Sequence, residues 1–345
     1  MEDLQKKLTD KFLLFDFDKY PVSLFHGKMG ISIYLFHLSK IESNPEYQTM
    51  AEQLLDQIMQ CDLSPNHSVT VEDGLAGVGL GVIYLIKNGF VEGDINELLE
   101  VIDNEIYRKI VFFEKSTNLT PNQLLHLIGY LYIRLKDQTD TNSRMLYQEW
   151  IIKTLNMLYN QIGDEFLNES YSFSIYHYQL PVLLWVISKL LGVNFYKERI
   201  YKMLDTLQPN ILSRFPLLHS NRLFLLWGML NLKPYMHNSL WSNYIQLLYR
   251  EIHLDEIFEK EMIDRKIFID NGLSMIYILL HSINHNFPDY KIPFDPQMIY
   301  HKLQNSDAWL TMIERDYFYQ IHHGLLNGFL GVQLVLEHIK NSYKL

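Results

Sequence analysis

Few residues of this chain stand at spacings that carry chemistry by themselves. His281 and His285 stand at i and i+4, a spacing that puts two imidazoles on one helical face and serves metals. The metalloprotease pattern needs Glu directly after the first histidine, whereas Ser282 follows here and the pair ends an apolar segment. His322-His323 stands just before a turn, where a solvated loop histidine is the ordinary case. Gly77-Val78-Gly79-Leu80-Gly81 has the glycine density of a phosphate loop. It follows no strand pattern and does not match Gly-x-Gly-x-x-Gly, so close helix packing accounts for it. Cys61 is the single cysteine, so it closes no internal disulfide and builds no thiolate metal site alone.

The elements that must position these groups read as helices. Met50 to Met59, Ile95 to Phe112, Met145 to Ile162 and Ile245 to Phe258 carry apolar residues at helical spacing, each followed by polar or turn-forming residues. Between them lie shorter stretches that are apolar on all sides, the pattern of inner helices. They are Ile31–Leu38, Val78–Ile86, Ile128–Leu135, Leu183–Leu191, Leu223–Leu230, Ser274–Leu280 and Val332–Ile339. With 345 residues, 48% of them hydrophobic, the chain can bury a large core. No linker is visible, and Asp137 to Ser143 reads as a polar loop, so one domain over 1–345 is expected. The net charge of −10 and the lack of any basic block exclude a backbone-tracking nucleic-acid binder. No export signal and no apolar run of membrane-spanning length is visible, which makes a cytoplasmic protein without a transmembrane segment the expectation. The 23 tyrosines fit a bulky core with wet tips, or an aromatic-lined groove for a peptide.

Each apolar stretch is preceded by a similar short turn. The clear copies are His26-Gly27-Lys28-Met29-Gly30, Asp73-Gly74-Leu75-Ala76-Gly77 and Asn327-Gly328-Phe329-Leu330-Gly331. Worn copies are His126-Leu127-Ile128-Gly129, His177-Tyr178-Gln179-Leu180-Pro181, Asn221-Arg222-Leu223-Phe224 and Asn271-Gly272-Leu273-Ser274-Met275. Their second positions, 27, 74, 126, 178, 221, 272 and 328, imply a period near fifty and seven helical hairpins. The first glycine of each turn is expected to supply an unusual φ/ψ. The second, in the helix's first turn, is expected to allow close backbone packing. Apolar helices that cannot bury themselves alone would close into an inner ring within an outer ring of amphipathic ones.

These turns resemble the lanthionine synthetase C-like family over nearly the whole chain. The likeness is most specific at Phe25–Ile31, Asp73–Gly79 and Leu326–Val332. The resemblance implies an all-α fold, an α/α-toroid of seven double-helical repeats. Active members add peptide cysteine thiols to dehydrated serine or threonine, using one zinc held by two cysteines and a histidine. A thiol with a pKa of about 8.5 is a poor nucleophile at neutral pH, and an open-sited zinc deprotonates it. A nearby histidine then protonates the enolate.

Carried over residue by residue, the resemblance puts His219 at the first cysteine ligand, Asp270 at the second and Asn271 at the histidine ligand. The acid/base histidine matches His177, although the glycines of its turn are gone. The family's active-site aspartate falls on Asn122, and its arginine falls one residue from Arg214. No cofactor is therefore expected; His219 and Asp270 are the residues left to hold zinc if it binds. The resemblance implies a degenerate relative in lanthipeptide-type maturation, binding a peptide substrate or a peptide-modifying partner enzyme without zinc-dependent ring closure. One alternative is an active cyclase with an altered site around His177. Another is a carbohydrate-active α/α-toroid enzyme using two carboxylates such as Asp73 and Asp270. The turn residues His26, Asp73, Asn122, His177, His219, Asp270, Asn271 and Asn327 are expected to line one rim. Helix amino-termini there favour a carboxylate-bearing ligand.

Overall fold

Apolar positions at helical spacing bury a stripe or a whole surface of a helix, and both kinds occur here. In the computed structural model every regular element among the described residues is helical. The structure describes residues 2–61, 68–111 and 119–343. The chain opens with α1 (Glu2–Leu13), α2 (Lys28–Glu42), α3 (Pro45–Gln60), α4 (Leu75–Lys87) and α5 (Ile95–Val111). It continues through α6 (Pro121–Asp137), α7 (Thr141–Gln161), the single turn α8 (Asp164–Leu167), α9 (Leu180–Gly192) and α10 (Lys197–Leu212). Next come α11 (His219–Leu232), α12 (Ser239–Arg250), the short α13 (Leu254–Glu256) and α14 (Leu273–Asn286). It closes with α15 (Pro296–Gln304), α16 (Ala308–Glu314), α17 (Asp316–Ile321) and α18 (Phe329–Tyr343). No helix among the described residues is long and apolar enough to cross a membrane.

The residues divide into two compact units. The first comprises Met1–Thr117, Asp264–Ile269 and Pro296–Leu345; the second comprises Asn118–Ile263 and Asp270–Asp295. Within the first, α18 packs on α2 and α2 on α4, while α3 and α5 pair with α2 and α4. Within the second, α6, α9, α11 and α14 pack in series, and α7, α10 and α12 pair with members of that series. The apolar segments form the series helices, as the periodicity predicts. Every α2 residue from Met29 to Phe36 is buried, and α4 is buried from Leu75 to Gly79.

Local chemistry sets the hairpins. Between α2 and α3, Ser43 takes the left-handed conformation at φ 52°, and Asn44 caps α3 by accepting from Glu46 N. Pro45 then fits the first helical position, whose N–H has no partner in a helix. Thr120 and Gln123 form a reciprocal capping box at the start of α6.

The three clear turns share one backbone design. Lys28 N donates to Pro21 O (2.7 Å), Leu75 N to Ser68 O (2.9 Å) and Phe329 N to His322 O (2.9 Å), at the same offset each time. The second glycine of each turn brings the helix against its own incoming loop. A β-carbon at Gly30, Gly77 or Gly331 would fall far inside contact with the carbonyl oxygen of Leu24, Val71 or Leu325. The first glycines differ from expectation: Gly27 and Gly74 have φ of −129° and −124°, extended backbone open to any residue. They are small for lack of room, because a β-carbon would meet Pro21 O or Ser68 O.

The worn copies fare differently. His126–Gly129 lies inside α6, which already starts at Pro121, and Asn221–Phe224 lies inside α11. Those helices begin earlier because Thr120 and Leu218, not a glycine turn, precede them. Ile245 to Phe258 is not one helix. It breaks at Glu251–His253, where Arg222 donates to Glu251 O (2.9 Å) and His219 Nδ1 accepts from His253 N (3.1 Å). Phe112 lies outside the described residues.

Gly30→Ala and Gly77→Ala each force a methyl onto a backbone carbonyl and are expected to cost about 1–3 kcal/mol. A β-carbon on Gly129, inside α6, would meet no neighbour within 4 Å. Gly129→Ala should instead stabilise by about 0.5–1 kcal/mol. Urea unfolding midpoints check both, and a fully stable Gly77→Ala protein would remove the close approach as the reason for the glycine.

Candidate functional site

Two polar constellations in the second unit hold the residues that the resemblance singles out. The first is built on the turn before α9. Ser174 is buried, and its hydroxyl donates to Asp270 Oδ1 across 2.9 Å. The same oxygen accepts from Tyr176 N (3.1 Å) and lies 3.0 Å from His177 Nδ1. Its one hydrogen serves Asp270, so His177 donates from Nδ1, which leaves Nε2 as the ring nitrogen turned away from Ser174. His177 is exposed. Asp270 also binds the turn through its backbone, its carbonyl accepting from Ile175 N at 2.9 Å. Burial raises the pKa of the Asp270 carboxyl, while the Ser174 hydrogen bond and the nearby His177 oppose that rise.

The other side of this turn is held by α6. Asn122 Nδ2, in the first turn of α6, donates to Tyr176 O (3.1 Å). Gln179 is buried and donates to Ile175 O (2.7 Å) and Tyr176 O (2.9 Å), with His126 Nε2 3.1 Å from its Oε1. Asn122, His177 and Asp270 therefore meet at one turn although they lie far apart in sequence. Ser174 and Gln179 join them. Gln179 falls within a turn motif, but nothing in residue type or spacing marks Ser174.

The second constellation surrounds the amino-terminus of α11. His219 N and Ser220 N donate to the two carboxylate oxygens of Glu261, at 2.7 and 2.9 Å. Glu261 ends a π turn, Ile257–Glu261, that follows α13. A second glutamate, Glu169, accepts from Leu217 N and from Asn221 Nδ2, the latter at 2.8 Å. Unpaired N–H groups and the helix dipole make this end electropositive, and the chain supplies two carboxylates to it. His219 Nδ1 accepts from His253 N, and an Arg222 guanidinium nitrogen lies 3.3 Å from the same atom. Burial and then Arg222 push the His219 pKa below the ordinary imidazole value.

Arg214 belongs to neither set of ring nitrogens. It pairs with Asp164 at 2.7 Å and donates to Asn168 Oδ1, which ties it to the one-turn α8. The Asp164 side chain is 79% exposed, so this pair adds about 0–1 kcal/mol. Asn271 is half-buried beside Asp270. Of the remaining expected rim residues, His26, Asp73 and Asn327 lie in the first unit, where Asp73 is exposed and the His26 carbonyl faces His323 Nε2 at 3.3 Å. His281 and His285 lie parallel on α14 with ring centroids 6.2 Å apart. Among the described residues no group of three or more His, Cys, Asp or Glu is placed to hold a metal.

No known family model matches this chain, and no curated protein matches it. The Ser174 array can orient an exposed imidazole for proton transfer. The α11 end can bind carboxylates, and it already holds the protein's own.

Two outcomes follow. Glu261→Ala leaves two helix N–H groups without their acceptor and is expected to cost about 1–2 kcal/mol of stability. Glu261→Gln, which offers only a neutral acceptor, should lose about half as much. The second outcome concerns Asp270. Its native pKa is raised, so the native state binds more protons than the unfolded chain just above the usual carboxyl pKa. Stability is then lost as pH rises through that window. Asp270→Asn keeps an acceptor for Ser174 without the buried charge. Its unfolding midpoint at pH 7 should equal or exceed that of the parent, with the difference shrinking on acidification; a large loss at pH 7 would contradict this.

Proposed function

We propose that this chain is a degenerate relative of the lanthionine synthetase C-like proteins that binds a ribosomally made peptide, or the enzyme that modifies it, without zinc-dependent thioether closure. The observation that carries the reading is the state of the residues at the ligand positions. His219 spends Nδ1 on the His253 backbone and has a guanidinium 3.3 Å away, a cation where a dication would have to sit. Asp270 is held by Ser174, and Asn271 offers only a neutral amide. Cys61, the single cysteine, ends α3 in the first unit. This donor set does not fit zinc held by two thiolates and an imidazole. The repeated turn with its glycine-to-carbonyl contact supports the kinship, because it is a backbone design and not a matter of composition.

One observation favours a second reading, a cyclase with an altered site. His177 is exposed, with Nδ1 committed to Ser174 and Nε2 left to meet a ligand. Such an imidazole can accept a proton from a substrate thiol or return one to an enolate.

Metal analysis and peptide binding separate the two. The purified chain is expected to carry well under one zinc per molecule and to bind a dehydrated, cysteine-containing peptide saturably while every thiol stays free. Near-stoichiometric zinc that disappears in His219→Ala or Asp270→Ala would overturn the first reading. Loss of free thiol that depends on His177 would establish the second in its place.

A further inference from the structure

The turn before α9 uses every hydrogen-bonding direction of one buried serine. A hydroxyl has one hydrogen to give and two lone pairs that receive. The hydrogen of Ser174 goes to Asp270 Oδ1 at 2.9 Å. Tyr176 N takes one lone pair at 3.1 Å. The lone pair that remains faces His177 Nδ1 at 3.0 Å, and it can only receive. Asp270 is itself tied to the turn, because its carbonyl accepts from Ile175 N at 2.9 Å. All these residues belong to the second unit.

An unconstrained neutral imidazole favours its hydrogen on Nε2. The hydrogen bond that one ring nitrogen makes decides which nitrogen holds the hydrogen, and here it demands Nδ1, the less favoured place. Asp270 acts on the ring through Ser174. With its carboxylate removed, the hydroxyl hydrogen is free to swing to His177 Nδ1, and the ring then holds its own hydrogen on Nε2. No donor of the array is left unpaired in either arrangement, so the carboxylate decides between them. The side of the ring turned away from Ser174 is an acceptor in the first arrangement and a donor in the second.

We propose that Ser174 and Asp270 are positioning residues that hold the His177 ring in its Nδ1–H form and leave the Nε2 lone pair for a ligand. His177 is exposed, so that lone pair is open to one. The group it takes is one that donates a hydrogen bond, such as a hydroxyl, thiol or ammonium. A carboxylate, which helix amino-termini alone would favour, has no hydrogen to give it. This inference stands apart from the peptide-binding reading. Zinc content and peptide titration test that one, and the ring nitrogens of His177 test this one.

The experiment records nitrogen-15 spectra of the histidine rings in the full chain at about pH 8, above the ordinary imidazole range. Loss of signals in His177→Gln assigns the ring. Nδ1 should carry the hydrogen in about tenfold excess over Nε2, the ratio that one hydrogen bond sets. Ser174→Ala and Asp270→Ala should each move the hydrogen to Nε2. Ser174→Thr keeps the hydroxyl and should hold it on Nδ1. Iodoacetamide alkylates the nitrogen that lacks a hydrogen, so the parent should be modified on Nε2, and the two alanine variants severalfold more slowly there. A parent ring with its hydrogen on Nε2 would overturn the proposal, as would an Nδ1–H form that persists in Ser174→Ala. A ring that changes in Ser174→Ala but not in Asp270→Ala would remove Asp270 from the positioning role.

Discussion

The carbonyl oxygens of Leu24, Val71 and Leu325 occupy the space that a β-carbon would need on Gly30, Gly77 and Gly331. That exclusion fixes how each helix meets the loop that feeds it. With the loop backbone pressed against the helix's first turn, the first helical N–H reaches back to the loop start, as Lys28, Leu75 and Phe329 do. The loops then lie near enough to bond to one another: Leu325 N donates to Phe25 O, and Phe25 N to Glu72 O. The second unit reaches a related closeness by another route. Gly228 of α11 admits the Pro181 carbonyl of α9, which a β-carbon would approach to 2.6 Å. Small residues are thus spent on backbone contact, and the large apolar side chains are left to fill the faces between helices.

Where the glycine turn is missing, polar side chains take over its work. α11 starts without a glycine turn; Glu261 satisfies its first two N–H groups from outside the helix, and Glu169 holds Leu217 N just before it. The turn before α9 keeps no glycine and is held by Asn122, Gln179, Ser174 and Asp270. Hydrogen bonds to side chains can hold a turn in place of close packing, but they bring polar and charged groups with them. The polar groups gathered in the second unit therefore have a structural duty as well as any chemical one. The cost is visible at Asp270, whose burial opposes its ionised form.

The helices are legible in the sequence because their apolar residues repeat at a period that packing enforces. Met29 to Phe36 and Leu75 to Gly79 are buried where the apolar runs lie. The clear turns are legible because glycine is the one residue without a β-carbon, so its spacing records backbone contact. The worn turns are not: polar residues such as Asn122 and Glu261 do the same task from distant positions, and no local spacing reveals it. His126–Gly129 has the look of a turn but lies within a helix, because Pro121 and the Thr120 capping box start α6 earlier. The repeat marks His177 and Asp270 as turn residues expected on one rim, but the link between them, Ser174, is one serine among many and stands out only in three dimensions.

The bond from Leu325 N to Phe25 O joins the turn before α18 to the turn before α2. α18 also packs on α2, and Gln333 reaches Thr9 of α1. The first unit is therefore assembled from stretches that lie far apart in sequence. On the ribosome its early helices emerge long before α18, which packs on α2 together with the early α3 and α4. The part of the α2 surface that α18 covers stays open until α18 has been made. Contacts of such long sequence separation slow folding and prolong exposure to aggregation. The same adjacency sets α18 beside α1. A circular permutant that links α18 to α1 and opens elsewhere would turn the slowest contacts of this protein into local ones.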